Sequence, residues 1–347
     1  MSKQVKCGNV IIGGGAPISI QSMTNVDSQD EVSLVAQVKA LEAEGCEIVR
    51  IAVPDNESAE VLGRVKKQVN VPLVADIHFD HRLAIAAIEA GADKVRINPG
   101  NIGSLDKVRE VVKAAKERQI PIRVGVNSGS LERDIVEKNG GVTAEGLAES
   151  ALRNLAIIED LGYDNLVVSL KASNVAMNYK AHQIVAASTD HPIHIGITEA
   201  GTLNRGKTKS AIGIGALLLE GIGDTMRVSL TADPVLEVKY AKEILEILGL
   251  RKAKFELVSC PTCGRTKIDL QGLALAVEEA LGKAAVPPGL KIAVMGCGVN
   301  GPGEAKEADY GIAGGVGKGM IFAHGKIIKT VDENDLVEEL IKTIQGK

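Results

Sequence analysis

Aromatic residues are almost missing from this chain, which has no tryptophan, three phenylalanines and four tyrosines in 347 residues. So few rings leave no stacking platform for single-stranded nucleic acid. They also require an aliphatic core of Val, Ile, Leu and Ala on closely packed elements. Long hydrophobic runs are missing too: the longest, Ile212 to Leu219, falls far short of the roughly 20 residues of a membrane span. The start, Met-Ser-Lys-Gln-Val-Lys-Cys, has no apolar secretory segment. Neither sign of charge dominates, since 40 basic and 44 acidic residues give −4, and no basic field marks the chain for nucleic acid. Five cysteines, an odd number without a signal peptide, make a poor disulfide framework. The expectation is a cytoplasmic protein with neither a membrane nor a nucleic acid as partner.

What is present is ample core material, 45% apolar residues, and 38 glycines. Eight short β-rich runs recur, at Ile18 to Met23, Glu47 to Val53, Pro72 to His78, Lys94 to Asn98, Ile122 to Asn127, Asn165 to Lys171, Pro192 to Thr198 and Met226 to Thr231. Between most of them lie Ala/Leu/Glu/Lys-rich segments of helical period, such as Val32 to Glu44 and Leu105 to Glu117. Eight alternations over about 250 residues predict an α/β fold of the (β/α)8 TIM-barrel type. An open doubly wound sheet is the alternative, but no Gly-rich turn follows the first strand. Gly13-Gly14-Gly15 precedes that strand and is expected to be a turn. After Lys252 the rhythm changes to a small α+β domain with strands at Phe255 to Val258 and Lys291 to Met295 and two short ones around Met320 to Lys329. Helices are expected at Leu270 to Leu281 and Glu333 to Gln345. The boundary lies between Leu248 and Lys254, giving domains 1–250 and 251–347.

Cys260 and Cys263 form a C-x-x-C in a strand-to-helix loop, and Cys297 follows in a Gly-rich loop after the next strand. Two thiolates of a C-x-x-C can grip one metal centre, and a distant third closes the site across two loops. Glu304, behind the rigid Asn300-Gly301-Pro302-Gly303, is the better candidate than His324 for a fourth ligand. A structural zinc site, buried thiols and a redox pair are the alternatives, and an iron–sulfur cluster is preferred. Cys7 and Cys46 are expected to be ordinary small core residues.

Alternation along the barrel strands puts residues i and i+2 on one face. That parity pairs Asp76 with His78, Arg96 with Asn98 and Arg123 with Asn127. It also groups Lys171 with Ser169 and Ser173, and Arg227 with Ser229 and Thr231, while Arg50 lies mid-strand. Arg50, Arg96, Arg123, Lys171 and Arg227 are thus expected to converge where barrel active sites form, with only Asp76 and Glu199 as nearby opposing charge. Such an excess is costly to bury unless an anion completes it, and guanidinium forks suit phosphate oxygens. The implied ligand is phosphorylated and multiply charged.

Ser259-Cys-Pro-Thr-Cys-Gly-Arg265 with Gly296-Cys-Gly-Val-Asn-Gly-Pro-Gly-Glu304 closely resembles the 4-hydroxy-3-methylbut-2-enyl diphosphate synthase family of the methylerythritol phosphate pathway. Ala75-Asp-Ile-His78, Val95-Arg-Ile-Asn-Pro-Gly-Asn101, Arg123-Val-Gly-Val-Asn-Ser-Gly-Ser130 and Gly196-Ile-Thr-Glu-Ala-Gly201 extend the resemblance over essentially the whole chain. It implies a TIM barrel followed by a small domain resembling sulfite/nitrite-reductase modules, with a [4Fe–4S] cluster on Cys260, Cys263, Cys297 and Glu304. It implies two-electron reductive ring opening and dehydration of 2-C-methyl-D-erythritol 2,4-cyclodiphosphate, with ferredoxin or flavodoxin as donor. It implies as well a homodimer in which one chain's cluster domain covers the other's barrel. On this reading Arg50, Arg96, Asn98, Arg123, Asn127, Lys171, Arg227 and Ser229 bind substrate. Glu199, Asp76 and His78 handle protons or position hydroxyls, and Glu304, an oxygen ligand among thiolates, is the one expected to give way to substrate. The runner-up is a pterin- or phosphosugar-binding TIM-barrel enzyme with a zinc-stabilised accessory domain.

Overall fold

The computed structural model describes residues 1–266, 268–297 and 305–346. The chain divides into two units, Met1–Leu250 and Arg251–Lys347. The first opens with an antiparallel hairpin of β1 (Val5–Cys7) and β2 (Val10–Ile12), which the sequence did not announce because each strand has only three residues. Eight parallel strands follow: β3 (Ser19–Met23), β4 (Ile48–Ala52), β5 (Leu73–Asp76), β6 (Lys94–Ile97), β7 (Ile122–Asn127), β8 (Leu166–Lys171), β9 (Ile193–Gly196) and β10 (Thr225–Arg227). One falls within or against each of the eight β-rich runs. β10 pairs with β3 through Thr225↔Ser19 and Met226↔Ile20, so the sheet closes into a barrel and the open doubly wound alternative is excluded.

The strands are two-faced, with period 2. One parity is aliphatic: Val49, Ile51, Val95, Ile97, Val124, Val168 and Ile195 belong to the large core shared with the surrounding helices. The other parity is mostly polar, carrying Ser19 and Gln21 on β3, Lys94 and Arg96 on β6, Arg123 on β7, Ser169 and Lys171 on β8, His194 on β9 and Thr225 on β10, all buried. A (β/α)8 interior is usually filled by branched aliphatic side chains. Here that filling is confined to one end, where Cys7, Val10 and Ile12 of the hairpin pack on Ile48 and Val74 at the starts of β4 and β5. Cys7 and Cys46 are both buried, and burial pushes the Cys46 thiol up to about 12, as suits a core residue. Asp30, Asp55, Asp80, Asn174 and Asp233 accept backbone N–H bonds at the starts of barrel helices, which fixes where each loop turns back into its helix.

The second unit is a five-stranded sheet in the order β11 (Phe255–Ser259), β12 (Leu290–Met295), β13 (Tyr310–Gly314), β14 (Lys318–Ala323) and β15 (Lys326–Asp332). The first three run parallel and the last two antiparallel. Helices Leu270–Lys283 and Leu336–Ile344 cover it through Val277, Leu281, Leu336 and Leu340. β13 was not expected from the sequence, since Tyr-Gly-Ile-Ala-Gly lacks a β-branched run. Its glycine has a packing reason: a Cβ on Gly311 would stand 2.3 Å from the Phe322 ring on β14. No described helix is long and apolar enough to cross a membrane.

The Lys94 ammonium is fully buried in the barrel and has no hydrogen-bond partner among the described residues. Burial, opposed by Cys7 and reinforced by Arg123, lowers its pKa to about 8. Between that value and the ordinary lysine value of about 10.4 the unfolded chain binds the extra proton, so this group's contribution favours the folded state increasingly as pH rises through the window. Lys94→Met removes the cost, and the variant is expected to be more stable at pH 7 by up to about 3 kcal/mol. Its advantage should shrink between pH 8 and 10, as followed by denaturant unfolding. A constant difference across that range would contradict this origin.

Candidate active site

At the carboxyl ends of the strands the polar face opens into a cavity of about 230 Å³. Arg50, Arg96, Lys171 and Arg227 line it together with Asp76, His78, Asn127 and Ser229. Of the residues singled out in the sequence, these eight and Ser169 are brought together. Asn98 lies in an adjoining cavity of about 380 Å³, which shares His78, Arg96 and Asn127 with the first and is edged by Phe79 and Leu131. Arg123 lies in the wall beneath, 1% exposed, donating to Gln21 Oε1 at 3.1 Å. Glu199 is exposed in the loop after β9 with a left-handed backbone (φ 50°) and lines neither cavity.

Asp76 anchors the cationic side of the site. Its carboxylate accepts from Arg96 Nη1 at 3.3 Å, faces Arg50 Nε at 3.9 Å and meets His78 Nε2 at 3.3 Å. Burial alone would raise its pKa, but Arg50, the His78 hydrogen bond, Arg96 and Arg123 together hold it far below the usual carboxylate range. Asp76 therefore stays ionised and serves as counter-ion. Burial lowers Arg50 to about 10 against the pull of Asp76. Lys171 fares worse: burial first, then Arg50, Arg227, Arg123 and Arg96, push it well below the ordinary lysine value. Among the described residues no carboxylate stands within ion-pair distance of its Nζ.

Several contributors escaped the sequence reading. The Met23 thioether accepts from Arg50 Nε and Nη2 at 3.1 and 2.9 Å, and Arg227 Nη1 lies 3.5 Å from it. Met23 and Gln21 share the inward parity of the first β-rich run, which was the available signal. Glu237, on helix Pro234–Ile247, holds Arg227 through Nε at 3.1 Å and Nη2 at 3.2 Å, and nothing local marks it off from other helix carboxylates. Two inward glycines make room for the long cations. A Cβ on Gly125 would lie 2.2 Å from Arg96 Nε, and one on Gly196 would lie 2.6 Å from the Arg227 carbonyl and 3.0 Å from Lys171 Nζ.

In the second unit the parallel pairing of β11 and β12, with Ser259↔Val294 in register, brings both strand ends to one sheet edge. Cys260 leaves β11 there and Gly296-Cys297 leaves β12. The Gly296 N–H donates to Cys260 Sγ at 3.2 Å, so the two cysteine loops touch. Cys263 is exposed, and the backbone N–H and side chain of Arg265, with the Thr266 hydroxyl, lower its thiol pKa and favour the thiolate. Touching loops with a favoured thiolate and a sulfur already accepting a backbone N–H are the donor chemistry of an iron–sulfur site. Glu304 lies outside the described residues, and no three described His, Cys, Asp or Glu side chains form a closed metal-binding group.

Comparison with known proteins accounts for both units. Residues 2–242 match the family model described as the GcpE TIM-barrel domain, and residues 256–346 match the GcpE protein C-terminal domain. A relative from Caldanaerobacter subterraneus subsp. tengcongensis, named 4-hydroxy-3-methylbut-2-en-1-yl diphosphate synthase (flavodoxin), is 57% identical over 345 residues, covering 99% of this chain and 97% of its own. One of the same name from Clostridium perfringens is 56% identical over 344 residues, covering 99% and 98%. Among solved structures, type I 3-dehydroquinate dehydratase from Clostridium difficile matches with a TM-score of 0.52 at 15% identity, over 72% of this chain and 98% of that one. That likeness shows the barrel fold alone.

The glycine slot under Arg96 is testable. Gly125→Ala places a methyl where the guanidinium lies and must displace it from Asp76 and from the Gly125 carbonyl it now contacts at 3.2 Å. Binding of inorganic pyrophosphate, measured by titration calorimetry, is expected to weaken about tenfold, or ~1.4 kcal/mol, as one bidentate donor is misplaced. Undiminished affinity would mean that Arg96 does not face the anion.

Proposed function

The chain belongs to the GcpE family, and we propose that it performs the reaction for which its relatives are named, formation of 4-hydroxy-3-methylbut-2-enyl diphosphate with electrons delivered by flavodoxin or ferredoxin. The substrate on this reading is 2-C-methyl-D-erythritol 2,4-cyclodiphosphate, which takes up two electrons, opens its ring and loses water in a step of isoprenoid biosynthesis. The observation that carries it is the convergence of Arg50, Arg96, Lys171 and Arg227 on one cavity in which Asp76 is the one lining carboxylate among the described residues. A cyclic diphosphate supplies the missing negative charge. As the ring opens, one ester oxygen becomes a terminal oxygen of a diphosphate that stays esterified to the carbon chain at its other end, and preorganised guanidiniums favour that growing charge. The family and full-length relatives give no support to the pterin- or phosphosugar-binding enzyme with a zinc-stabilised domain.

The roles divide by position. Arg50, Arg96, Lys171 and Arg227 grip the diphosphate from the cavity wall, with Asn127 and Ser229 as neutral partners. Asn98 orients the substrate from the adjoining cavity, and Arg123 adds positive potential from beneath. Asp76, locked as an anion, fixes Arg96 and Arg50 and accepts from His78, which leaves His78 or the exposed Glu199 to move protons at the carbon end. Cys260, Cys263 and Cys297, with Glu304, would hold a [4Fe–4S] cluster, which when bound supplies electrons one at a time and an iron site for the substrate. The same reading includes a cytoplasmic homodimer in which one chain's cysteine unit serves its partner's barrel.

Anaerobic reconstitution with iron and sulfide is expected to give a brown protein whose visible absorption bleaches with dithionite and which turns over the cyclodiphosphate with reduced flavodoxin. Cys297→Ser should lose both colour and turnover while binding pyrophosphate as before, and retention of the chromophore would remove Cys297 from the ligand set. A second expectation concerns Lys171. Its burial among arginines disfavours the ammonium, and a bound diphosphate reverses that, so binding raises the pKa and draws in a proton. Pyrophosphate titrations at pH 8 in buffers of different ionisation enthalpy should show more proton uptake in the natural protein than in Lys171→Met; equal uptake in the variant would place the proton elsewhere.

A further inference from the structure

The backbone seam that closes the barrel is short. β3 and β10 pair only at Ser19↔Thr225 and Ile20↔Met226, below Met23 and Arg227, which line the cavity. Above them, at Ser22 and Arg227, no backbone pairing joins the two strands. One carboxylate stands in its place. Glu237 is 2% exposed, in the first turn of the helix that follows β10. Its Oε2 accepts from Ser22 Oγ of β3 at 2.9 Å and from Arg227 Nε of β10 at 3.1 Å. Its Oε1 accepts from Arg227 Nη2 at 3.2 Å and from the Leu230 backbone N–H at 3.0 Å.

Four donors from three segments thus converge on a single buried carboxylate, and each oxygen takes two of them. The fork is side-on: it engages the Nε–Nη2 edge of Arg227 and turns Nη1 toward Met23, which lines the cavity. A guanidinium held along one edge keeps a single orientation and loses less freedom when an anion takes its other edge. Leu230, tied through its N–H, lies next to Ser229, another lining residue.

We propose that Glu237 is a positioning residue for the anion site: it latches the β3–β10 seam at the barrel mouth and presents the Nη1 edge of Arg227 to the substrate's diphosphate. This rests on the reading of the cavity as a diphosphate site. Asp76 restrains Arg50 and Arg96 from the β5 side, and Glu237 restrains Arg227 from the seam. The two buried carboxylates thereby set the spacing of the cations they do not neutralise. Glu237 touches no substrate itself and acts through Arg227.

A double-mutant cycle on the full-length protein tests this, with inorganic pyrophosphate as the probe and thermal unfolding alongside. Glu237→Gln should weaken pyrophosphate binding about tenfold in the natural background, because an amide cannot accept from both guanidinium N–H groups. It should raise KM for the cyclodiphosphate more than it lowers kcat, with the cluster's visible spectrum unchanged. In an Arg227→Met background the same change should alter affinity less than twofold. It should there raise the melting temperature, because it removes a buried charge that has lost its partner. A purely structural role predicts the same loss of affinity in both backgrounds, and that result would overturn the proposal, as would unchanged affinity in the single variant. Glu237→Asp keeps the charge but is one methylene shorter. It should retain an affinity between those of the natural protein and Glu237→Gln, and it takes the glutamine's place in the cycle if the latter does not fold. Failure of the natural protein to bind pyrophosphate would instead sink the diphosphate reading of the cavity.

Discussion

Six cationic side chains, Arg50, Lys94, Arg96, Arg123, Lys171 and Arg227, share the inner face of a barrel in which Asp76 and Glu237 are the buried carboxylates that meet them. Desolvating that much like charge opposes folding, and the other features of the barrel follow from how the opposition is contained. Burial lowers the pKa of both lysines, Lys94 to about 8, so their charge is the easier one to give up. The arginines cannot do so within the physiological range, so they are tied to Asp76, Glu237 and Gln21 or held against the Met23 sulfur. What remains uncompensated is attraction for a multiply charged anion. A site preorganised in this way does not have to reorganise as charge develops on a leaving diphosphate, which makes the same imbalance costly to stability and useful to catalysis.

Stability must then come from elsewhere, and it comes from the opposite parity of the same strands. Every barrel strand sends alternate aliphatic side chains outward into one continuous core with the helices. The hairpin adds a dry cluster at the amino-terminal end with Ile48 and Val74. The barrel is therefore stabilised from its outside and its floor, while its mouth is free to hold charge. Glycine has its place in this division. At Gly125 and Gly196 the inward position is left empty so that an arginine and a lysine from neighbouring strands can lie across it. A methyl at Gly125 would displace the Arg96 guanidinium, and one at Gly196 would press first on the Arg227 carbonyl and then on the Lys171 ammonium.

Much of this was legible in the sequence because it is written in period 2. Eight β-rich runs gave eight barrel strands, and the i, i+2 parity placed Arg50, Asp76, Arg96, Lys171 and Arg227 around one cavity. What parity cannot supply is depth. Arg123 obeys the same alternation but sits lower along its strand, so it is buried beneath the cavity. Glu237 could not be found by pattern at all, since its partners Ser22 and Arg227 are 215 and 10 residues away and one of them lies across the closing seam. β13 was missed because its glycines are demanded by their neighbours, Gly311 by the Phe322 ring and Gly314 by the Ile268 side chain, a tertiary requirement that overrides β-propensity. The cysteine loops were legible because a C-x-x-C is a local feature, and parallel pairing of β11 with β12 explains why the distant Cys297 loop meets it.

The two units follow one rule with different chemistry. In each, adjacent parallel strands end on the same edge, and the residues just beyond those ends face one another without distorting the sheet. The barrel uses that edge to gather hard cations for oxygen anions. The smaller sheet uses it to bring Cys260 and Gly296-Cys297 together, soft donors suited to iron and sulfur. Neither recognition needs a stacking surface, and the nearly ring-free composition is consistent with that. Phe79, 73% exposed beside the cavity with its centroid 5.9 Å from that of His78, is the one phenyl ring at the mouth among the described residues. Charge complementarity alone would accept any polyphosphate of suitable size. On the proposed reading, discrimination for a particular carbon skeleton falls to the neutral groups at the rim, Asn98, Asn127, Ser229 and Phe79, and to reactivity at the cysteine edge. Affinity and specificity on that reading rest on different residues, which lets the cations suit the diphosphate while the rim groups suit the carbon chain attached to it.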